Sequence, residues 1–174
     1  MAQKPPLETE LKLCIPATLP YRPLLEALGF REVAPAQPEV SVLWDRQGEL
    51  RVAGSALRTR AFNGQSRLTW KGPKVPDALL KIRPELETTV GDLDSLEALL
   101  WALGFEPFLR LEKVRSVWEN GELEACLDET PFGCYLELEG EPKAIRVAME
   151  GLGLITDQAE TRSYPELYQA NGLG

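Results

Sequence analysis

The sequence of 174 residues contains no histidine. A protein without imidazole groups cannot build a Ser-His or Cys-His nucleophile, and it cannot bind zinc through histidine. Cysteine is also scarce. Cys14, Cys126 and Cys134 are odd in number and lack the spacing of a metal motif, so we expect reduced, buried thiols. These absences exclude the imidazole-based classes of enzyme and metal site.

Long apolar runs are absent as well, since no stretch approaches the ~18 residues that a membrane helix needs. The first six residues lack the apolar core of a secretory signal, which predicts a cytoplasmic protein with no membrane partner. The net charge of −8 argues against binding to nucleic acid, because phosphate backbones attract a basic surface. A small anionic substrate is compatible with this charge, because the local placement of basic groups matters more than their sum.

The composition is that of an ordinary globular protein. Hydrophobic residues make up 44% of the chain and charged residues 26%. A chain of 174 residues is long enough to bury a substantial core. We therefore predict a single domain over residues 1–174, present as a monomer or a homodimer.

The first patterned stretch covers residues 7–13. Leucines at positions 7, 11 and 13 alternate with Glu8, Glu10 and Lys12, which is the period of a β-strand. Taken alone, the stretch is typical of a strand with one face in water and the other on a core. Later segments repeat the design with charges of complementary sign.

Turn signals such as Asn63-Gly64 join several of these segments as hairpins. The period of two predicts further strands over about residues 40–44, 57–62, 66–71, 80–90, 108–118, 123–127 and 135–139. Helical spacing predicts helices over about residues 21–28, 92–103, 142–152 and 162–169, and the Pro/Ala-rich residues 33–38 predict a loop. Together these elements predict an α+β fold, an eight-stranded antiparallel closed β-barrel with flanking helices.

Charged side chains occupy one face of the predicted strands. After the first strand, alternate positions hold Arg58, Arg60, Arg67, Lys71, Arg83, Glu85, Glu87, Lys113, Arg115, Glu124, Asp128, Glu137 and Glu139. Either these faces meet water, or they line the inside of the barrel while helices cover its apolar outside. Like charges are grouped along individual strands, and exposed neighbours of like sign destabilise a sheet. This grouping favours a charged lumen.

A lumen of this kind suits a polyphosphate. Arginine offers planar paired donors to phosphate oxygens, and lysine acts as a compact point charge. Glutamate and aspartate offer the hard oxygen ligands that Mg²⁺ or Mn²⁺ prefers, and such a site leaves room for phosphate oxygens. The pattern therefore indicates a polyphosphate held between cations and a carboxylate-bound metal ion.

Seven motifs follow one another from about Glu8 to Leu167. They are Glu8-x-Glu10-x-Lys12, Leu57-Arg58-Thr59-Arg60, Leu68-Thr69-Trp70-Lys71-Gly72-Pro73, Arg83-Pro84-Glu85-Leu86-Glu87, Lys113-Val114-Arg115, Leu127-Asp128 with Gly133 and Glu137-Leu138-Glu139, and Arg162-Ser163-Tyr164. In this order they resemble the CYTH superfamily, also called triphosphate tunnel metalloenzymes. The first motif is the signature of that family.

The resemblance implies an eight-stranded tunnel that binds a small-molecule triphosphate together with Mg²⁺ or Mn²⁺. The implied metal ligands are Glu8, Glu10, Glu137 and Glu139, helped by Glu85, Glu87 and Asp128. The implied phosphate-binding residues are Lys12, Arg58, Arg60, Lys71, Arg83, Lys113 and Arg115. The implied catalytic residues are Glu8, Glu10, Lys12, Glu137 and Glu139.

Several side chains near these motifs have weaker signals. Arg67 has the phase of the lumen but lies next to a turn, which predicts a solvated position at the rim. Glu124 and Tyr135 also have that phase, and the pattern does not decide whether they line the tunnel. Trp70 lies on an outward face and Trp101 in an amphipathic helix, so we predict core packing for both.

Three functions are consistent with this sequence. The first is a metal-dependent triphosphate hydrolase that acts on inorganic tripolyphosphate, a nucleoside triphosphate or a thiamine ester. The second is a class IV-type adenylyl cyclase, which converts ATP to cyclic AMP and pyrophosphate. The third is a module that binds polyphosphate without turnover, against which the many carboxylates argue.

Overall fold

The structure, a computed structural model, describes residues 4–173. Its strands are β1 (Leu7–Ile15), β2 (Arg31–Asp45), β3 (Ala56–Phe62), β4 (Gln65–Lys71), β5 (Lys81–Val90), β6 (Glu106–Glu119), β7 (Leu123–Thr130) and β8 (Gly133–Gly140). They pair antiparallel in the order β1-β5-β4-β3-β2-β6-β7-β8, and β8 pairs with β1 to close the barrel. The predicted fold class is confirmed.

Helices and short helical turns lie between some of the strands and also follow β8. The α-helices are α1 (Arg22–Ala27), α2 (Glu49–Val52), α3 (Leu93–Ala102), α4 (Pro142–Gly151) and α5 (Tyr164–Ala170). Two 3₁₀ turns, at Leu19–Tyr21 and Thr156–Gln158, together with α2, were not predicted from the sequence. None of the helices within residues 4–173 is long and apolar enough to cross a membrane.

The β3–β4 hairpin shows how local sequence sets the register of the barrel. Asn63 and Gly64 both have positive φ, 50° and 68°, as a two-residue turn between twisted strands requires. Phe62 then pairs with Gln65, and the ladder continues to Ala56 opposite Lys71. The turn therefore aligns alternate side chains of the two strands on the same side of the barrel.

Strand β2 is much longer than the sequence predicted. Residues 33–38, predicted as a loop, belong to this strand, which reaches back to Arg31. The pairing with β6 shifts register between Glu32 and Ala34 and again between Ala34 and Gln37. Irregularities of this kind accommodate proline, which has no N–H for the ladder. The prolines therefore bend the strand without ending it.

The main hydrophobic core lies outside the barrel. Leu13 of β1 and Leu138 of β8 are fully buried and pack with Ile145 and Met149 of α4 and with Leu25 of α1. Because side chains alternate along a strand, the charged neighbours of these leucines must face the barrel interior. Apolar helix packing outside thus orients the polar face inward.

Helix α3 contacts the barrel less than its leucine content predicted. Leu100 is buried, but Leu99 and Trp101 of the helix and Leu103 at its C-cap are more than half exposed. The prediction that Trp101 packs in the core is therefore wrong. Thr59 of the barrel donates to Glu97 at 2.8 Å and accepts from the indole of Trp44 at 3.0 Å, so a polar contact helps to fix the helix.

We predict that Leu138→Ala lowers the free energy of unfolding by about 3 kcal/mol, because truncation of a fully buried leucine removes apolar contacts and leaves a cavity. Denaturant unfolding checks this value. Leu103→Ala, at an exposed position, is the matched control and should cost less than about 0.5 kcal/mol. Equal losses in the two variants would contradict the placement of the core.

Candidate functional site

The barrel encloses a cavity of about 1040 Å³ that opens beside α5. Glu8, Glu10 and Lys12 line it, while Leu11 and Leu13 on the opposite face of β1 are fully buried in the outer core. The arrangement in which the charged faces meet bulk water is therefore wrong, and the charged lumen is confirmed.

Most of the predicted site residues share this cavity. Those that line it are Glu8, Glu10, Lys12, Arg58, Arg60, Lys71, Arg83, Glu85, Glu87, Lys113, Arg115, Glu137 and Glu139. Asp128 is not among the lining residues, since it is fully buried behind Arg115 and Lys113. The roles of all the predicted site residues in binding and catalysis remain predictions.

The strand order places six inward carboxylates across the lumen from four inward cations, while Lys12, Lys81 and Arg83 lie on the same strands as the carboxylates and Glu39 lies on a strand of the cations. In a barrel of eight strands, β8, β1 and β5 lie opposite β3, β2 and β6. The first group carries the inward carboxylates Glu137, Glu139, Glu8, Glu10, Glu85 and Glu87, and the second carries Arg58, Arg60, Lys113 and Arg115. We call these two groups the acidic wall and the basic wall. A polyanion in the lumen would lie between them.

Three carboxyl groups of the acidic wall are clustered around Glu8, which lies close enough to Glu85 and to Glu139 to shift their pKa values. Two neighbouring carboxyl groups can share a hydrogen bond only when one of them is protonated. Burial, together with the neighbouring Glu8, raises the pKa of Glu85 to about 7. Burial likewise raises the pKa values of Glu8 and Glu139. Lys71 forms an ion pair with Glu85.

The donor set of these carboxyls suits a hard divalent cation. Within residues 4–173, no three acidic or thiol side chains already have the geometry of a formed metal site. However, Glu8 lies beside both Glu85 and Glu139, and a divalent ion would supply the positive charge that neighbouring carboxylates require. Mg²⁺ uses only one or two protein carboxylates beside water and phosphate oxygens, so the residues present fit such an ion.

The basic wall is held by two buried acids. Asp128 accepts two hydrogen bonds from Arg115, at 2.7 and 2.6 Å, and one from Lys113 at 3.0 Å. Glu39 lies 3.5 Å from Lys113 and 3.7 Å from Arg115. Burial alone would raise the pKa of Glu39, but the surrounding cations hold it at about 2. Glu39 therefore stays ionised, and the two acids together hold the cations in place.

Two buried donors of the same wall have no acceptor. The Nε atoms of Arg58 and Arg60 are buried and have no hydrogen-bond partner within the described residues. Burial of an unsatisfied donor is costly, so these atoms indicate that a bound acceptor completes the wall. Phosphate oxygens are acceptors of the required kind.

Ion pairs also join the strands of the acidic wall, β1, β5 and β8, to one another. Lys81 donates to Glu10 at 2.7 Å, and Lys12 lies 3.4 Å from Glu137. Burial lowers the pKa of Lys12 to about 7. Glu137 also pairs with Arg115 of the basic wall. The network thus connects the two walls at this level of the lumen.

Among the lining residues that sequence reasoning missed are three polar ones on the barrel strands: Glu39, Ser41 and Lys81. Lys81 lies two positions before Arg83, so the period of β5 could have revealed it. Glu39 directly follows the segment that was predicted as a loop. Because of that prediction, the alternation of side chains along β2 was not extended to Glu39. Recognition of the bulged strand would have placed both Glu39 and Ser41 in the lumen.

The structure also places the residues whose positions the sequence left open. Arg67, predicted at a solvated rim, lines the cavity and donates to Glu87 at 2.5 Å while remaining partly exposed. Glu124 lines the cavity as well. Tyr135 is buried, and its ring centroid lies 5.9 Å from the Lys12 ammonium.

One end of the lumen is apolar. Leu43, Ala56 and Leu111 line the cavity two residues along from Ser41, Arg58 and Lys113 on the same three strands. Tyr168 and Phe108 border the cavity at this end and pack with the same apolar cluster. A ligand that extends along the lumen would therefore pass from charged to apolar surroundings.

A closed barrel with opposing acidic and basic walls defines the class to which the chain belongs. The family model of the CYTH domain matches residues 7–163, which covers most of the chain. The protein is a member of the CYTH domain family, and the resemblance stated from the motifs is confirmed.

Similar proteins agree with this assignment. A protein of Methanocaldococcus jannaschii named "putative adenylate cyclase" is 28% identical over 172 residues, which cover 92% of this chain and 98% of the relative. A solved structure with the same name from Vibrio parahaemolyticus has a TM-score of 0.81 at 22% identity and covers 97% of this chain and 99% of its own.

A third relative comes from Hippeastrum. Its structure has a TM-score of 0.71 at 22% identity, over 94% of this chain and 96% of its own. It is described as an adenylyl cyclase candidate that reveals a dominant triphosphatase activity. At such identities the two solved structures show the shared fold alone.

We predict that, without divalent metal, Glu85 makes folding less favourable as pH rises from 5 to 7. Its folded pKa of about 7 lies above the ordinary value of 4.5, so the stabilisation is complete below pH 4.5 and is lost as pH rises through 7. Glu85→Gln should remove this loss, which amounts to as much as about 3 kcal/mol.

Denaturant unfolding at pH 5, 6 and 7 in a chelator measures the effect. The range stops at pH 7 because Lys12, whose pKa is lowered to about 7, adds the opposite trend above it. Glu150→Gln on the exposed face of α4 is the control. Parallel pH profiles for the wild type and Glu85→Gln would contradict the pKa assigned to Glu85.

Proposed function

We propose that this protein is a divalent-metal-dependent triphosphate hydrolase that acts inside the barrel. Its substrate is inorganic tripolyphosphate or a nucleoside or thiamine triphosphate. Water attacks the terminal phosphorus in line, the bridging P–O bond breaks, and orthophosphate leaves together with the shortened chain. The metal ion, Mg²⁺ or Mn²⁺, and the roles of the individual residues are part of the proposal.

The proposal rests on two features that face each other across the lumen. One is a pair of buried hydrogen-bond donors without acceptors in the part of the chain that the structure describes, and the other is a cluster of carboxyl groups with raised pKa values. The buried Nε atoms of Arg58 and Arg60 lack acceptors within the described residues. On the opposite wall, the pKa values of Glu8, Glu85 and Glu139 are all raised by burial. A polyphosphate with a divalent cation supplies acceptors to one wall and positive charge to the other.

Residues of the two walls would bind the phosphate groups and the cation. Arg58, Arg60, Lys113 and Arg115 would bind phosphate oxygens and stabilise the charge that spreads over them as the P–O bond breaks. Glu8, Glu85 and Glu139, with Glu10 nearby on β1, would hold the cation. When bound, this cation would neutralise phosphate charge and act as a Lewis acid toward a phosphoryl oxygen.

The size of the lumen bears on the substrate. A cavity of about 1040 Å³ lies at the upper end of the range for sites of drug-sized ligands, and it has an apolar end. It therefore has room for an organic group attached to the phosphate chain.

An adenylyl cyclase is the second candidate. The apolar end of the lumen favours a substrate with an organic group such as adenosine, and the Methanocaldococcus relative carries a cyclase name. In that reaction the ribose 3′-hydroxyl attacks the α-phosphorus and pyrophosphate leaves. The triphosphatase activity described for the Hippeastrum protein supports hydrolysis as the first candidate, although that likeness extends to the fold alone.

We predict that Glu8→Gln reduces phosphate release from tripolyphosphate by at least about 100-fold, because loss of an outer partner of a metal site already costs up to that factor. The assay offers tripolyphosphate, ATP and thiamine triphosphate in parallel with Mg²⁺ or Mn²⁺, and it identifies all products. Glu150→Gln, which also replaces a glutamate but on the exposed face of α4, should retain full activity.

The products distinguish the candidates. Orthophosphate release that is lost in Glu8→Gln and in a chelator supports the hydrolase and ranks its substrates. Cyclic AMP with pyrophosphate would replace the hydrolase by the cyclase. Tight, metal-dependent binding of tripolyphosphate without turnover of any substrate would leave a binding module.

A further inference from the structure

The C-terminal segment brings a tyrosine into the lumen. Tyr164 is the first residue of α5, whose start is fixed by a capping box between Ser163 and Glu166. The backbone N–H of Glu160 donates to the carbonyl of Lys12 at 2.8 Å, and the Lys12 ammonium donates to the carbonyl of Arg162 at 3.2 Å. The segment is therefore anchored to β1 just before Tyr164.

The ring of Tyr164 contacts two ammonium groups. Its centroid lies 3.6 Å from Nζ of Lys12 and 4.2 Å from Nζ of Lys113. Both distances are within the ~6 Å reach of a cation–π contact, and such contacts are strongest where water is excluded. Both lysines are nine-tenths or more buried as side chains, so these contacts are desolvated.

The hydroxyl of Tyr164 contacts Asp128, the buried acid that pairs with Lys113 of the basic wall. It donates to Oδ2 of Asp128 at 2.5 Å. That carboxylate also accepts from Lys113 and Arg115. One tyrosine thus contacts Lys12 and Lys113 through its ring and, through its hydroxyl, the buried counter-ion of Lys113.

Holding these two lysine side chains in one conformation costs conformational entropy, because a lysine side chain has many accessible rotamers. Binding is tighter when that entropy has already been lost in the ligand-free protein. A rigid aromatic ring in contact with both ammonium groups restrains them in the ligand-free barrel. It does so without adding a negative charge that would compete with phosphate.

We propose that Tyr164 is a positioning residue that preorganises Lys12 and Lys113 for a polyphosphate in the lumen. The inference rests on the proposed function in that it takes a triphosphate as the ligand. It assigns to the C-terminal segment a direct part in ligand affinity, beyond that of covering the barrel.

The test measures binding of a non-hydrolysable, methylene-bridged tripolyphosphate with Mg²⁺ by calorimetry. We expect Tyr164→Leu, which removes the ring, to raise the Kd about tenfold. Tyr164→Phe keeps the ring and should stay within about threefold of the wild type. Leu167→Ala removes a buried side chain from the same helix without contact to either lysine, so it should lower the Tm and leave the Kd unchanged.

A double-mutant cycle tests the route of the effect. If Tyr164 acts through Lys113, then Lys113→Met should weaken binding much less in the Tyr164→Leu background than in the wild type. Multiplicative effects of the two substitutions would overturn the proposal. It would also be overturned if Leu167→Ala raised the Kd as much as Tyr164→Leu, or if Tyr164→Leu left the Kd within twofold.

This readout separates the positioning role from hydrolysis. A wild-type protein that binds the analogue but releases no phosphate from tripolyphosphate would overturn the hydrolase alone, and the variants would still test Tyr164. A wild-type protein that does not bind the analogue would overturn both proposals.

Discussion

Closure of the barrel confines more than a dozen ionisable groups in one lumen, and the rest of the site depends on this constraint. In a low-dielectric interior an unpaired charge is very costly, so each group must find a counter-charge, a proton or a ligand. Asp128 and Glu39 pair with cations of the basic wall, and Lys71 and Lys81 pair with carboxylates of the acidic wall. In the ligand-free state, internal ion pairs therefore supply the counter-charges that a bound ligand would otherwise supply.

The same constraint explains why the outer core matters for function. Leucines of β1 and β8 pack under α4 and α1, and this packing sets which face of each strand points inward. A slip of one residue would turn every charged side chain out of the lumen. The hydrophobic core thus specifies the register that the charged site requires.

Much of this arrangement could be predicted from residues alone. Glu8, Glu10 and Lys12 were placed correctly because a period of two leaves only two faces to choose from, and complementary charges recurred on other strands. Glu39 was missed because nearby prolines suggested a loop, whereas the structure absorbs them as irregularities in β2. The position of Asp128 behind the basic wall could not be predicted, since phase gives the face of a strand but not the depth or the partner. The exposure of Trp101 also depends on tertiary contact that helical spacing does not specify.

The closure of the barrel between β1 and β8 has a consequence for how the chain folds. Lys12 forms its backbone-directed bond with a residue 150 positions later, so the lumen is completed only after nearly all of the chain has been synthesised. Contacts of such long range slow folding, because loop-closure entropy is lost before the contacts form.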